Sequence, residues 1–505
     1  MLVALSVPPF GWWLLGWLGF AGIAYLLPGR TWRERLALGF GAGLGQYAIG
    51  LFWVSEFSIP GCVVLMIVSA LFMSAALLVV PSSRQASVAA GLPAAVVLAD
   101  WARDRFPLGG FPLGAASLGQ TLSPLIPVVR IGGSLLLTGE TALAGVVLAQ
   151  LVRTTLAWRR RSPHPDRNAT LPPILAGLAA ASAVAVALPV AGYLSPSGAG
   201  GHLPSMRVGL VQGGGPRGTR AIHTDPQVVF NRHIDAASAI RPPVDLVVFP
   251  EGVEQTSIDF TTTVDTAQLS GIATGLDATV VAGVEQDVGV RRYLNEIVAW
   301  SPSGAVAGTY VKNHLVPFGE YVPWRSLIQR FFNINDVPYD AIAGHSPGFL
   351  RTPAAPLAVM ISYEVFFDER ARGGVRAGGQ LLVVPTNTAS YRSSQVPTQE
   401  LAADRLRAWE TGRWLVQVTP TGYSGIVTPT GHVVTRSTLG RQTVIQGRVD
   451  RETGRTVYVT IGDDPVALAA LAVLVVAAGA SGAVGSARRR LRMRRRRPAE
   501  TTAAG

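Results

Sequence analysis

Three polar residues stand at or just past the ends of apolar runs in the second half of the chain. Glu251 follows "DLVVFP", Ser362 follows "LAVMI", and Lys312 sits in "TYVKNHLVPFGEYVP". A short apolar run bounded by turn residues reads as a buried strand, and the polar residue after it lies at a sheet rim. A carboxylate, an ammonium and a hydroxyl gathered at one rim can carry out acyl transfer. The carboxylate takes the nucleophile's proton and later returns it, and the ammonium stabilises the developing oxyanion. Ser362 opens a strand-to-helix elbow, the kind of turn on which nucleophiles are presented. Taken singly, each residue has a plainer reading. Glu251 is then a strand-end carboxylate, Lys312 a solvated lysine, Ser362 a hydrogen-bonded elbow serine and Glu320 a surface turn residue. Tyr363 is packing and Glu364 a first-turn helix carboxylate. Their joint arrival in long motifs outweighs those readings.

The elements that must position them lie in residues 205–461, where apolar runs shorten to five to seven residues flanked by Gly, Pro, Asn and Asp. Strands are expected at 206–211, 244–249, 279–284, 295–300, 306–311, 356–361, 380–386, 414–419, 424–428 and 443–448. Helices are expected at 226–240, 263–275, 365–373 and 396–412. Near-continuous apolar strands alternating with helices describe an α/β domain whose sheet is covered on both faces.

The rest of the chain reads as membrane. Of 505 residues, 49% are hydrophobic and 15% charged, against roughly 25% charged in soluble domains. Runs long enough to span occur at 11–27, 36–56, 61–81, 86–102, 128–152, 172–194 and 465–485. The fourth is weakened by Pro93 and ends at Asp100, and the fifth carries Arg130 and Glu140, which are expected to face the bundle. The net charge of +12 sits largely in two blocks, 153–167 and 488–497. No aromatic residues interleave with these arginines as a nucleic-acid stacking platform needs, so the positive-inside rule explains them and no nucleic-acid partner is expected. Segment 28–35, Arg84, block 153–167 and the tail then lie inside, and 57–60, 103–127 and 195–464 outside. Seven spans leave the N-terminus outside. Residues 1–27 lack the basic start of a secretory signal, and the expectation is a longer N-terminus with one more span.

Together these segments resemble the apolipoprotein N-acyltransferase family, the membrane-bound members of the nitrilase superfamily. "VVFPEG", "KNHLVPFGEYVP" and "SYE" carry the resemblance, with "TNTASY" (386–391) and "ADRLRAWETGRW" (403–414) beside them. The resemblance implies a nitrilase-like α-β-β-α sandwich joined to a multispan transmembrane α-helical bundle. It divides the chain into a bundle at 1–195 of about six spans, an extracytoplasmic carbon–nitrogen hydrolase domain at 196–463, a closing helix at 464–487 and a cytoplasmic tail at 488–505. It makes Glu251 the general base, Lys312 the catalytic lysine, Glu320 a supporting acid, and Tyr363 and Glu364 the residues after the nucleophile. The reaction it implies takes an acyl chain from a phospholipid to the α-amine of a diacylglyceryl-cysteine lipoprotein, at the cell membrane and without a cofactor.

Two departures stand out. Ser362 occupies the place where the family has cysteine, and no tryptophan occurs from 213 to 299, where members often carry one. A serine hydroxyl ionises far less readily than a thiol, and its oxyester resists an amine more than a thioester does. Both half-reactions therefore slow, the second more. A catalytically silent paralogue that binds lipoproteins or lipid is the competing class, and a membrane-tethered amidase is a third.

Other motifs carry less. "GHSPG" (344–348) has the G-x-S-x-G spacing, but no apolar strand precedes it and Pro347 follows its serine. "VQGGGPRG" (211–218) follows a strand but lacks phosphate-loop spacing and reads as a mobile loop. The seven histidines and the single Cys62 show no metal-ligand spacing. Segment 319–345 holds Trp324, Phe331 and Phe332 with few charges, as a lid touching a bilayer would.

Overall fold

The computed structural model describes residues 1–159, 171–201, 203–219, 223–331 and 333–495. Residues 160–167 of the first arginine block, the tail from 496 onward and Phe332 lie outside the described residues.

The apolar runs of the second half pair as strands: β1 (Met206–Gln212), β2 (Leu246–Val248), β3 (Glu254–Thr256), β4 (Thr279–Asp287), β5 (Arg292–Trp300), β6 (Val306–Val311) and β7 (Asp340–Ala341). After them come β8 (Phe349–Arg351), β9 (Pro356–Val359), β10 (Leu381–Pro385), β11 (Leu415–Val418), β12 (Gly425–Val427), β13 (Val433–Arg436) and β14 (Thr443–Val449). One sheet runs in the order β14-β1-β2-β4-β5-β6, with β3 on β4 and β7 on β5, and the other runs β13-β12-β11-β10-β9-β8. The inner strands β1, β2 and β4, and likewise β9, β10 and β11, are parallel. Their C-terminal ends therefore share a rim in each sheet.

Alternation along the strands decides what meets what. Leu357, Val359 and Ile361 pack with Leu246, Val248 and Ile297 in the core between the two sheets. The outer face of the first sheet is closed by helices Pro226–Ala237 and Val264–Leu276, with Phe230 and Leu269 against Val247 and Val280. The outer face of the second sheet offers Ala358, Met360 and Leu382 to helices Asp368–Arg376 and Gln395–Thr411. That gives an α-β-β-α sandwich. The core of the second helix layer continues into Tyr47, Leu51, Leu118 and Leu137 of the amino-terminal part.

Five helices are long and apolar enough to cross a membrane by length and composition: Ile59–Val79, Gln85–Arg103, Ile126–Arg159, Leu175–Leu194 and Asp464–Ser481. Gln85–Arg103 runs unbroken through Pro93. The run expected at 11–27 forms the shorter apolar helix Trp13–Leu26. The run expected at 36–56 is helix Trp32–Gly50, which starts on a Thr31–Glu34 capping box, followed by a separate 3-10 turn Phe52–Glu56. Helix Val129–Arg159 breaks at Gly132 and Gly133. A side chain at Gly133 would strike the Tyr458 ring at 2.5 Å.

Two ends of the bundle differ in what they touch. At one end the basic loops meet each other: Gly29 N–H donates to the Ser82 carbonyl at 2.8 Å, and Arg35 reaches the Val80 carbonyl. At the other end the bundle holds the sandwich. Glu56 accepts from the backbone N–H groups of Arg392 (2.7 Å) and Ser393 (3.3 Å), with Trp53 and Phe57 edge-on to the Tyr391 ring. The Gln395 and Gln399 amides donate to the Gly50 carbonyl.

This attachment yields a prediction. Glu56→Ala removes the acceptor for two backbone donors and should cost about 1–2 kcal/mol. Limited proteolysis should then cut segment 386–394 several-fold faster while the sandwich core stays resistant. An unchanged cleavage rate would show that the aromatic contacts alone hold the segment.

Candidate active site

Strand β2 delivers Glu251 through the short link Phe249-Pro250. The link is fixed by Phe249 N–H on the Val281 carbonyl and by Gly283 N–H on the Pro250 carbonyl. Gly283 has to be glycine, since a Cβ there would lie 2.6 Å from the Glu251 Cα. Strand β6 delivers Lys312, whose N–H donates to the Asn295 carbonyl. The chain then turns back through Val316, whose N–H donates to Glu320 Oε2 at 2.7 Å.

The result is one hydrogen-bonded cluster. Lys312 Nζ donates to Glu251 Oε1 at 2.8 Å and to Glu320 Oε1 at 2.9 Å. Asn295 Nδ2 donates to the same two oxygens at 2.7 and 2.9 Å. Lys312 is 1% exposed and Glu251 5%. Burial works against the Lys312 ammonium, but the carboxylates of Glu251 and Glu320 more than reverse it and hold the amine charged, above the usual lysine range. Burial pushes the Glu251 carboxyl up, Lys312 opposes that, and Glu320 adds to it. One more carboxylate joins the group. Glu285 is raised to about 8 by burial and then by Glu251 and Glu320, with Lys312 opposing.

Ser362 lies across the sandwich from Glu251, after β9 and at the head of the 3-10 turn Ser362–Phe366. Its φ is +49°, a left-handed conformation that a serine adopts only when its surroundings enforce it. The enforcing residue is Glu364, which is fully buried. Its Oε2 accepts from Ile361 N–H at 2.8 Å, its Oε1 from the N–H groups of Asn313 (2.8 Å) and His314 (3.1 Å), and both oxygens from the Tyr310 hydroxyl. One carboxylate thus fastens the Ser362 elbow to the two residues that follow Lys312. Arg370 supports it, donating to the Tyr310 hydroxyl at 2.9 Å. Tyr363 points the other way, and its hydroxyl donates to the Gly110 carbonyl in the loop after helix Gln85–Arg103. Among the described residues, Ser362 makes no side-chain hydrogen bond, and it is partly exposed. A cavity of about 560 Å³ opens beside the elbow, walled by Gly109 and Gly110 of the bundle and by His314, Tyr321, Tyr363 and Phe367 of the sandwich.

The structure therefore brings Glu251, Lys312 and Glu320 into direct contact. It ties Ser362, Tyr363 and Glu364 to them through the backbone after Lys312. Asn295, Tyr310, Arg370 and Glu285 went unnoticed in the sequence. The first lies within a strand, and only the β5 register, which sets it opposite Glu285, reveals its place. "GHSPG" is an exposed loop in which the Ser346 carbonyl accepts from Asn313 and Arg370. "VQGGGPRG", read as a mobile loop, is pinned: Gly214, Gly215 and Gly218 donate to the carbonyls of Pro420, Gly440 and Ala389. Those donors are not free for a phosphate. In segment 319–345, Trp324 is 68% and Phe331 73% exposed, and the Arg325–Asp340 ion pair closes the excursion at its base.

Residues 1–147 match the apolipoprotein N-acyltransferase N-terminal domain, and residues 207–458 match the carbon-nitrogen hydrolase family. The apolipoprotein N-acyltransferase of Mycolicibacterium smegmatis is 30% identical over 540 residues, which cover 98% of this chain and 86% of that protein. Its counterpart in Geobacter metallireducens is 29% identical over 487 residues, 92% and 90% of the two chains. Among solved structures, an amidase from Nesterenkonia sp. aligns with 54% of this chain and 97% of its own, at 22% identity and a TM-score of 0.38. With a relative at 30% identity matched along nearly its whole length, this chain belongs to the apolipoprotein N-acyltransferase family.

Proposed function

We propose that the protein is a membrane-bound acyltransferase that moves an acyl chain from a phospholipid to the α-amine of a diacylglyceryl-cysteine lipoprotein, through an ester on Ser362. The observation that carries this reading is the left-handed Ser362 elbow, held by Glu364 to the chain just after Lys312. In the first half-reaction the Ser362 oxygen attacks the phospholipid ester carbonyl while Glu251 takes its proton. Lys312 steadies the oxyanion. The C–O bond to the glycerol breaks, and Glu251 returns the proton to the departing alcohol. In the second half-reaction the acceptor amine attacks the Ser362 ester, and the serine oxygen leaves with a proton from Glu251. The raised basicity of buried Glu251 acts in the direction that a serine nucleophile needs.

The placement of this chemistry is part of the proposal. The sandwich is attached at the bundle end formed by 49–57 and 108–110, within or next to the segments that charge assigns to the outer side. The opposite end carries the basic loops around Arg30 and Arg84. The catalytic domain then faces the extracytoplasmic side of the cell membrane. Exposed Phe318, Trp324, Leu327 and Phe331 form an apolar excursion suited to a lipid surface, and the cavity beside Tyr363 opens between bundle and sandwich.

Two experiments test the reading. Purified full-length protein incubated with phospholipid in detergent should carry an acyl adduct on Ser362 by mass spectrometry, and Ser362→Ala should abolish it. Ser362→Cys should raise N-acylation of a diacylglyceryl-cysteinyl peptide by at least about tenfold, chiefly because a thioester yields to an amine more readily than an oxyester does. A wild type equal to the cysteine variant would remove the kinetic argument, and capture of the peptide with no adduct would favour a silent binder. Separately, Glu364→Gln keeps one acceptor oxygen and sets an NH₂ donor against the backbone N–H of either Ile361 or Asn313 and His314. It should cost about 3 kcal/mol in thermal unfolding and lower adduct formation by tenfold or more. Unchanged stability would mean that Tyr310 and Arg370 suffice to hold the elbow.

A further inference from the structure

Amide formation from an ammonium ion has a proton count that Glu251 alone does not close. The acceptor arrives as R–NH₃⁺, since an α-amine has a pKa of about 8. Its nitrogen keeps one hydrogen in the amide and must shed two. One of these ends on the Ser362 oxygen as the ester C–O bond breaks, carried there by Glu251. The other must leave before attack, or the nitrogen has no lone pair to offer. Glu320 is no ready taker, because both of its carboxylate oxygens are occupied by Lys312, Asn295 and the Val316 N–H.

Glu285 has the position for that second task. It lies on β4 directly opposite Asn295 of β5, so the two side chains share a face of the sheet. Its Oε1 approaches the backbone next to Glu251: a Cβ on Gly252 would lie 2.9 Å from it. Among the described residues, the Glu285 carboxylate makes no hydrogen bond and no ion pair; the residue is partly exposed, while its carboxyl is turned into the interior. A second observation points to a missing donor. Asn295 is 1% exposed, its Nδ2 is committed to Glu251 and Glu320, and its Oδ1 accepts nothing. A buried acceptor left open costs free energy, and a donor that reaches it recovers that cost.

We propose that Glu285 and the Asn295 carbonyl oxygen form the subsite for the acceptor's primary ammonium, and that Glu285 removes the proton that frees the amine for attack. The inference deepens the acyltransferase reading and rests on it. The charged groups around the subsite are Glu251, Glu320 and Lys312, with Asp287 on the same strand and the Tyr293 phenol on the neighbouring one. Burial and the two nearby carboxylates keep Glu285 protonated at rest, up to about 8. An arriving ammonium takes the place of that proton, which leaves to solvent. The local charge is then the same before and after: Lys312 against Glu251 and Glu320 at rest, two cations against three carboxylates when occupied. The ammonium passes one proton to Glu285, and the neutral amine attacks. Glu285 releases that proton to solvent once the amide has formed.

The test separates the two half-reactions. Full-length protein is loaded with acyl chain from phospholipid, then chased with a synthetic diacylglyceryl-cysteinyl peptide or with hydroxylamine, which is uncharged near neutral pH. The Ser362→Cys background serves equally if the serine enzyme loads slowly. Glu285→Gln should load within about threefold of its parent and discharge to the peptide about tenfold or more slowly, while discharge to hydroxylamine stays within about threefold. Glu285→Asp should restore part of the peptide rate. The peptide deficit should narrow as pH rises past the amine's own pKa of about 8, where the acceptor arrives already deprotonated. Equal loss toward peptide and hydroxylamine would reduce Glu285 to a structural role, and no loss toward either would overturn the subsite. A protein that loads in neither background would overturn the acyltransferase reading itself, a different signature from failure of the subsite alone.

Discussion

A buried ammonium held between two carboxylates governs the architecture around it. An isolated charge at the depth of Lys312 would cost several kcal/mol, and the fold offsets this only by bringing Glu251 and Glu320 to it at once. Those residues arrive from the end of β2 and from the turn after β6. Asn295 on β5 then supplies the second donor that each carboxylate oxygen requires. Three elements must therefore agree in register to within a residue. The long β4–β5 pairing, from Val280 opposite Trp300 to Asp287 opposite Tyr293, and the β5–β6 pairing beside it deliver that agreement. A slip of one residue would turn Asn295 to the other face and leave the carboxylates short of donors.

A second constraint acts on the elbow. A serine at φ +49° is strained, and strain persists only where the surroundings over-determine it. Here the determinants come from three directions. Glu364 ties the elbow to the strand end bearing Lys312, Met360 N–H pairs with the Val383 carbonyl of the neighbouring strand, and Tyr363 reaches into the bundle. The third tie matters for the lipid donor of the proposed reaction. It makes the bundle loop at Gly110 part of the support of the elbow and sets the adjoining cavity between bundle and sandwich. The core shared by helix Gln395–Thr411 and the amino-terminal helices makes the two parts one packed body at this end.

Much of this was legible in the sequence because the signals are local. Apolar runs bounded by turn residues located ten of the fourteen described strands to within a few residues. The shared motifs singled out Glu251, Lys312, Glu320 and Glu364 before any pairing was known. What stayed hidden depends on pairing. The short strands Glu254–Thr256 and Asp340–Ala341 have no apolar run and exist only because β4 and β5 offer them an edge. Asn295 and Glu285 look like ordinary polar strand residues until register sets them opposite each other. The helix expected at 365–373 splits into the 3-10 turn Ser362–Phe366 and the helix Asp368–Arg376, because Glu364 folds back on the Ile361 N–H and closes the turn early. The amino-terminal spans blurred for another reason. Trp32–Gly50 carries Arg33, Glu34 and Arg35 in its first turn, so hydropathy alone set its start too late and its end too far.

The electrostatics of the site also bear on what serine means there. With Lys312 charged and both Glu251 and Glu320 ionised beside it, the cluster carries one negative charge overall. On the proposed mechanism, a pre-formed anion at residue 362 would add a second, whether that anion were a thiolate or an alkoxide. Such a cluster favours a nucleophile that stays neutral until it attacks and gives up its proton in the same step. In that regime the large pKa gap between thiol and alcohol counts for less than it does in a site built to stabilise a thiolate. The burden moves to the basicity of Glu251, which burial raises, and to the leaving ability of the serine oxygen in the second half-reaction. On the proposed mechanism, serine is thus a smaller handicap for loading the acyl chain than for handing it on, and the step that most needs help is the one in which an ammonium must become an amine.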